Sequence, residues 1–231
     1  MKRFYKDADP VAMAGGHGIA LDGRPVRTPG RALLVVPTPA LAQAIADEWH
    51  RQDADIRPET MRMTGLANAA IDHIANDPSK FARDIAAYGG SDLFCYRATS
   101  PAALVARQAD VWDPLLAWAA QRYDIALRTT AGVIPVDQPP ATLARLHAAV
   151  AALDPFTLAA LSTLVSLSGS LVAGLALVEQ AHDLDAIWDA TDLDERWQAE
   201  LWGEDAEAAA RTALRREEFE TAAQFCRLAH Q

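Results

Sequence analysis

The chain has 231 residues, is 51% apolar and 23% charged, and carries a formal net charge of −10. That balance fits a globular protein of one large or two small domains and excludes a disordered chain. Lysine occurs only at Lys2, Lys6 and Lys80, and no basic stripe is present, which argues against nucleic acid and against anionic lipid as partners. Cys95 and Cys226 lie far apart and belong to no CxxC pair. Free thiols in a reducing compartment are therefore expected, with neither a disulfide framework nor a zinc site. Met1-Lys2-Arg3-Phe4-Tyr5 leads into ordered-looking sequence without an apolar signal core or an arginine- and serine-rich transit segment. A bacterial cytoplasm is the expected location.

Residues 3 to 36 read as β-structure. Ile19-Ala20-Leu21 and Val26 flank Asp22-Gly23, a two-residue turn with the chemistry of type I′. Pro25 places its strand at an edge or keeps it short, and Leu33-Leu34-Val35-Val36 is a third strand. Gly15-Gly16-His17-Gly18 matches no phosphate-binding fingerprint and precedes a strand, so it reads as a hairpin turn.

Helices follow, with plain start signals. Thr38-Pro39, Asp77-Pro78 and Asp154-Pro155 each put a capping side chain before a proline at the first helical position. Leu41, Ile45 and Trp49 form the apolar stripe of a helix running to about Gln52. Further helices are expected over about Thr64 to Asn76 and Pro78 to Tyr88, then a short strand over Leu93 to Tyr96. A domain boundary is expected at Ala98 to Pro101, giving domains 1–98 and 99–231. The helical pattern from Ala102 to Tyr123 holds Pro114, which should kink or restart it. Ile125 to Val136 suggests a small hairpin, and the rest is helical, ending in a helix from about Glu204 to Ala229 docked by Phe219, Ala223 and Cys226.

Phe156 to Val178 is uncharged and long enough to span a bilayer. Its flanks are acidic (Asp154, Glu179, Asp183), and no nearby lysine or arginine anchors it. Ser162, Ser166, Ser170 and Gly174 recur every four residues, a narrow groove along one helix face that allows close packing. A core helix of a soluble bundle is favoured over a membrane span.

The densest stretch is Leu193 to Gly203, with two of the six tryptophans. On a helix, Leu193, Trp197 and Leu201 share one face, and Glu195, Gln198 and Trp202 lie roughly opposite. Such a helix either sits between two layers or offers one side to a partner. Asp192 three residues before Glu195 also fits a capping box, a purely structural role.

No constellation of catalytic residues stands out. HExxH, GxSxG and paired CxxC motifs are absent from the sequence. His73 beside Asp72 is the best candidate base, with no nucleophile near it. Asp194, Glu195, Glu200, Glu204 and Asp205 match no EF-hand loop and read as a solvated acidic face. No catalytic, cofactor-binding or metal-binding residue is assigned.

Several stretches taken in order carry a resemblance. They are Arg3-Phe4-Tyr5-Lys6, Leu21 to Pro29, Glu48-Trp49 with Gln52, Ser91-Asp92-Leu93 with Tyr96-Arg97, Gln108 with Trp112-Asp113-Pro114-Leu115, Gly169-Ser170, and Asp194-Glu195 with Gln198 and Trp202-Gly203. Together they resemble the assembly chaperones of the ATP synthase catalytic head, which escort the alpha subunit in mitochondria and alphaproteobacteria. The resemblance covers essentially the whole chain. It implies an α+β fold, a small amino-terminal α/β domain with hairpins followed by an orthogonal helical bundle. It also implies a protein that is not an enzyme, binds free alpha subunit and shields its beta-facing surface until beta replaces it. The family's functional Glu-x-x-Gln corresponds here to Glu195 and Gln198, with Trp202 beside them as a partner contact. Glu48-Trp49 and Trp112-Asp113-Pro114 read as architectural. Two competing readings are a small-molecule enzyme with a pocket between the two domains, using His73 or the acidic cluster, and a membrane subunit anchored by Phe156 to Val178.

Overall fold

The computed structural model describes residues 1–132, 134–203 and 205–231. Contacts group the chain into two units. The first comprises Met1–Pro78, Asp154–Ala160 and Thr221–Gln231; the second comprises Ser79–Leu153 and Leu161–Glu220. The architecture is α+β, with the larger sheet confined to the amino-terminal region.

In the first unit, strands β1 (Ala8–Met13) and β2 (Gly16–Leu21) form an antiparallel hairpin, and β2 pairs with both β3 (Arg24–Pro25) and β4 (Val35–Val36). Asp22 and Gly23 both take positive φ, 47° and 77°, as a type I′ turn requires. The Asp22 carboxylate then accepts from Lys6 N at 3.0 Å and Asp7 N at 2.9 Å. Helix α1 (Pro39–His50) packs on this hairpin through fully buried Leu41 and Ile45, and the Thr38 hydroxyl caps it by accepting from Leu41 N at 3.1 Å. Helix α2 (Arg62–Asp72) is capped from a distance. The buried Glu48 carboxylate accepts from Met63 N, Thr64 N and the Thr64 hydroxyl at 2.7–2.8 Å, an architectural role for the Glu48-Trp49 pair.

The second unit is helical. It holds most of α3 (Pro78–Ala86), α4 (Ala102–Tyr123), α5 (Pro140–Ala151), the later part of α6 (Pro155–Ser168), α7 (Leu171–Val178), α8 (Leu184–Thr191), α9 (Leu193–Trp202) and the start of α10 (Ala206–Leu228). Trp112 on α4 is fully buried, and its indole N–H donates to Ala190 O at 2.8 Å. Helix α4 continues through Pro114 without a restart.

Several local expectations are corrected. Phe156 to Val178 is two helices, not one, because Gly169 adopts φ 69° and Ser170 caps α7 by accepting from Ala173 N. The four-residue spacing of Ser162, Ser166, Ser170 and Gly174 therefore does not run along a single helix. Among the described residues no helix is long and apolar enough to cross a membrane. The buried Asp92 carboxylate latches this break, accepting from the Ser170 hydroxyl at 2.8 Å and Val172 N at 2.9 Å. Leu93–Cys95 is a turn of 3₁₀ helix, with only Tyr96–Arg97 (β5) extended. β5 pairs in parallel with β6 (Thr130–Ala131), so residues 125–136 hold no local hairpin among the described residues; Val133 lies outside them. Glu204, the expected helix start, also lies outside them, and α10 begins at Ala206 with Asp205 accepting from Glu207 N. Phe219 and Cys226 are buried on that helix as expected, joined by Ala222 and Phe225.

Candidate functional site

Helix α9 is anchored at its start and bare at its end. Leu193 is buried, and the Asp194 carboxylate accepts from the amide of buried Gln108 at 2.8 Å. The same Gln108 side chain accepts from Ala98 N at 2.8 Å. Close by, the Arg97 guanidinium donates to Phe94 O and to Asp113 and lies over the Trp112 ring. The scattered motif residues 92–97, 108–115, 169–170 and 194 thus form a polar framework within the second unit. They fix the direction of α9 rather than carry chemistry themselves.

Beyond Leu193 the apolar stripe is only partly covered. Trp197 is half-buried with the Arg107 guanidinium 4.8 Å from its ring, and that guanidinium also pairs with Glu200 at 2.9 Å. Leu201 is 56% exposed and Trp202 is 81% exposed. On the other side Gln198 is exposed, and its amide makes no hydrogen bond among the described residues. Glu195 is exposed, with Arg215 Nη1 3.4 Å from Oε1. The structure therefore places Glu195, Gln198 and Trp202 on the exposed length of one short helix. Large apolar groups left in water beside exposed polar ones are the composition of an interface centre.

The capping box is not formed. Asp192 makes no side-chain bond to the start of α9 because it also terminates α8, with φ −98° and ψ 8°. Its carboxyl is buried, and Oδ1 has no partner among the described residues. Burial, then the facing Glu195 carboxyl, pushes the Asp192 pKa up to about 7, against the opposing pull of Arg215 and Arg196. This pair and Arg215 escaped sequence reasoning, since Arg215 lies 20 residues from Glu195 and on the next helix.

The features considered for catalysis are otherwise engaged. The Asp72 carboxylate accepts from the Thr28 hydroxyl at 2.6 Å and Gly30 N at 2.7 Å, fixing a loop, and His73 is an exposed helix end. Burial pushes the Cys95 and Cys226 thiols up to about 12 and 11, far from the thiolate that a nucleophile needs. Among the described residues no group of three or more His, Cys, Asp or Glu could hold a metal ion.

The profile of a family described as ATP12 chaperone protein matches residues 2–120 of this sequence. The chain belongs to the ATP12 chaperone family. Atp12 from Paracoccus denitrificans superposes with a TM-score of 0.93 at 44% identity, covering 99% of this chain and 98% of that one. A point mutant of the same Paracoccus protein matches equally, covering 97% of its chain. A protein of Agrobacterium tumefaciens, titled for a proposed chaperone role, gives a TM-score of 0.93 at 42% identity over 98% of this chain and 85% of that one. The fold and the family membership agree with the resemblance seen in the sequence.

Proposed function

We propose that this protein is an assembly chaperone for ATP synthase, acting by binding and not by catalysis. Its client is the free alpha subunit of the catalytic head. It shields the beta-facing surface of that subunit until beta replaces it, and it does so in the bacterial cytoplasm. Glu195, Gln198 and Trp202 are the contact residues. The observation that carries this reading is the exposed end of α9, where Trp202 and Leu201 stand in water beside a Gln198 amide that has no hydrogen-bond partner among the described residues. A subunit awaiting its neighbour exposes apolar surface that aggregates. An aromatic anchor with a polar surround covers such a surface and still releases it on exchange. The test is a pull-down from the source cell with tagged protein. Enrichment of alpha without beta supports the reading, and a folded bait that recovers no alpha overturns it.

A further inference from the structure

The junction of α8 and α9 holds an acid whose side chain caps neither helix. Asp192 is 4% exposed, and its Oδ1 has no hydrogen-bond partner among the described residues. Its backbone is committed to both helices: the N–H donates to Trp188 O at 3.0 Å, and the C=O accepts from Arg196 N at 2.9 Å. With the backbone held on both sides, the side chain faces Glu195, three residues on and therefore its neighbour on the helix surface.

The charged groups around Asp192 come from three helices. Glu195 and Arg196 face it from α9, and Arg215 faces it from α10. Asp189 on α8 engages Arg196, with Arg196 Nη1 2.7 Å from Asp189 Oδ1. Arg215 is thus left to serve both Asp192 and Glu195, and it is divided. Its Nη1 is 3.4 Å from Glu195 Oε1, its Nη2 donates to Leu167 O at 3.3 Å, and its guanidinium lies 5.8 Å from the Trp188 ring. These contacts are long beside Arg107–Glu200 at 2.9 Å and Arg122–Glu179 at 2.6 Å in the same unit. Long, partly solvated ion pairs are weak, so this guanidinium can redistribute at little cost. Glu195, with 59% of its side chain exposed, has water to turn into.

The two charge states of Asp192 call for different arrangements. A neutral carboxyl has a proton to donate to the Glu195 carboxylate and leaves Arg215 to Glu195. An ionised carboxylate, buried beside another carboxylate, is costly unless a cation reaches it. Arg215 then turns to Asp192, and Glu195 is repelled. Burial, then Glu195, push the Asp192 pKa up to about 7, so both states are populated near neutrality.

We propose that Asp192, Glu195 and Arg215 form a pH-operated clasp, in which neutral Asp192 holds Glu195 beside α10 and ionised Asp192 takes Arg215 and releases Glu195 to solvent. The released carboxylate is the one free to meet a client, so client binding strengthens as pH rises. That consequence rests on the α9 reading; the clasp itself does not.

The test is an NMR titration of the isotope-labelled full-length chain from about pH 5 to about pH 9, following the Asp192 and Glu195 carboxyl carbons and the Arg215 Nε–H. The expected result is one step near neutrality shared by all three signals. In Asp192→Asn the Glu195 and Arg215 steps should vanish. In Glu195→Gln the Asp192 midpoint should fall, because the facing charge is gone; this variant decides the matter if the asparagine variant does not fold. Flat Glu195 and Arg215 signals, steps that persist without Asp192, or an unmoved midpoint in Glu195→Gln overturn the proposal. With a midpoint at about 7, the ionised share rises from about one-eleventh at pH 6 to about ten-elevenths at pH 8, so affinity for purified alpha subunit should rise about tenfold relative to Asp192→Asn. A ratio that stays constant overturns the regulatory consequence. Absence of alpha binding at every pH is instead failure of the α9 reading, which the titration does not share.

Discussion

Glu195→Lys separates a binding role from a folding role. The Glu195 side chain is 59% exposed, and its ion pair with Arg215 has an N–O distance of 3.4 Å. In a water-like dielectric that contact is worth about 1 kcal/mol before screening, and exposed pairs measure about 0.2–1 kcal/mol. The new lysine loses that pair and faces Arg215, but it also removes a negative charge from beside the buried Asp192 carboxyl. These effects oppose each other, so stability should change by less than about 1 kcal/mol, a Tm shift of about 2–4 °C at this size. Binding has no such compensation. Reversing one charge at a contact that meets a complementary group should cost about 2 kcal/mol, near thirtyfold in Kd. Circular dichroism melts and titration calorimetry against purified alpha subunit read the two quantities separately. A melt lowered by more than about 10 °C would show that Glu195 holds the fold. An unchanged affinity in a well-folded mutant would remove it from the contact.

Trp202→Ala should leave the melting curve within experimental error, because an 81% exposed side chain contributes little to folding. As an interface anchor it should lose about 2 kcal/mol or more of alpha binding, and unchanged affinity would show that its exposure is incidental. Asp192→Asn tests the raised Asp192 pKa. The folded Asp192 pKa lies near 7, well above that of an unfolded aspartate, so this group's contribution to stability falls as pH rises from about 4 to 7. The asparagine variant lacks that loss. Its stability relative to wild type should therefore increase between pH 5 and pH 8 in urea titrations, whereas a constant difference would deny the shift. Gly174→Val should destabilise by about 1–3 kcal/mol through overpacking, since even a Cβ at this position would lie 2.7 Å from Leu161 Cδ1 and 2.8 Å from Val165 Cγ2. A gain in stability would show that α6 and α7 have room to part.

Local signals carried furthest where one residue decides one angle. Asp22-Gly23 marked its turn, Thr38-Pro39 its helix start, and the Leu41 and Ile45 stripe its buried face, because each outcome depends on neighbours within a turn or two. Phe156 to Val178 misled because uncharged composition gives length without direction. The positive φ at Gly169 and the Asp92 latch, 78 residues earlier than Ser170, make the break. The assignment of residues 154–160 and 221–231 to the first unit is likewise long-range and has no composition shift to announce it. On α9 the helix and its two faces were legible. Which face stayed in water was not, since that depends on the Gln108 amide donating to Asp194 and on the exposure of Leu201 and Trp202 among the described residues. The partnership of Asp192 with Glu195 was hidden by a capping pattern of the same spacing.

The Asp92 latch also bears on how the chain matures. Its acceptor oxygens meet the Ser170 hydroxyl and Val172 N only after most of the intervening helices have emerged and turned back. Until then the most apolar segment of the protein, residues 156–178, has no charged neighbour from its own vicinity to define where it bends. Contacts so remote in sequence form slowly, and an uncovered segment of this composition is an aggregation hazard while it waits. A chain with Asp92 replaced by leucine would lack the acceptors that hold Ser170 and Val172 at this break. Such a chain should be lost to inclusion bodies or to the membrane fraction. The bend in the most apolar stretch is thus held in part by an acid placed 78 residues before Ser170.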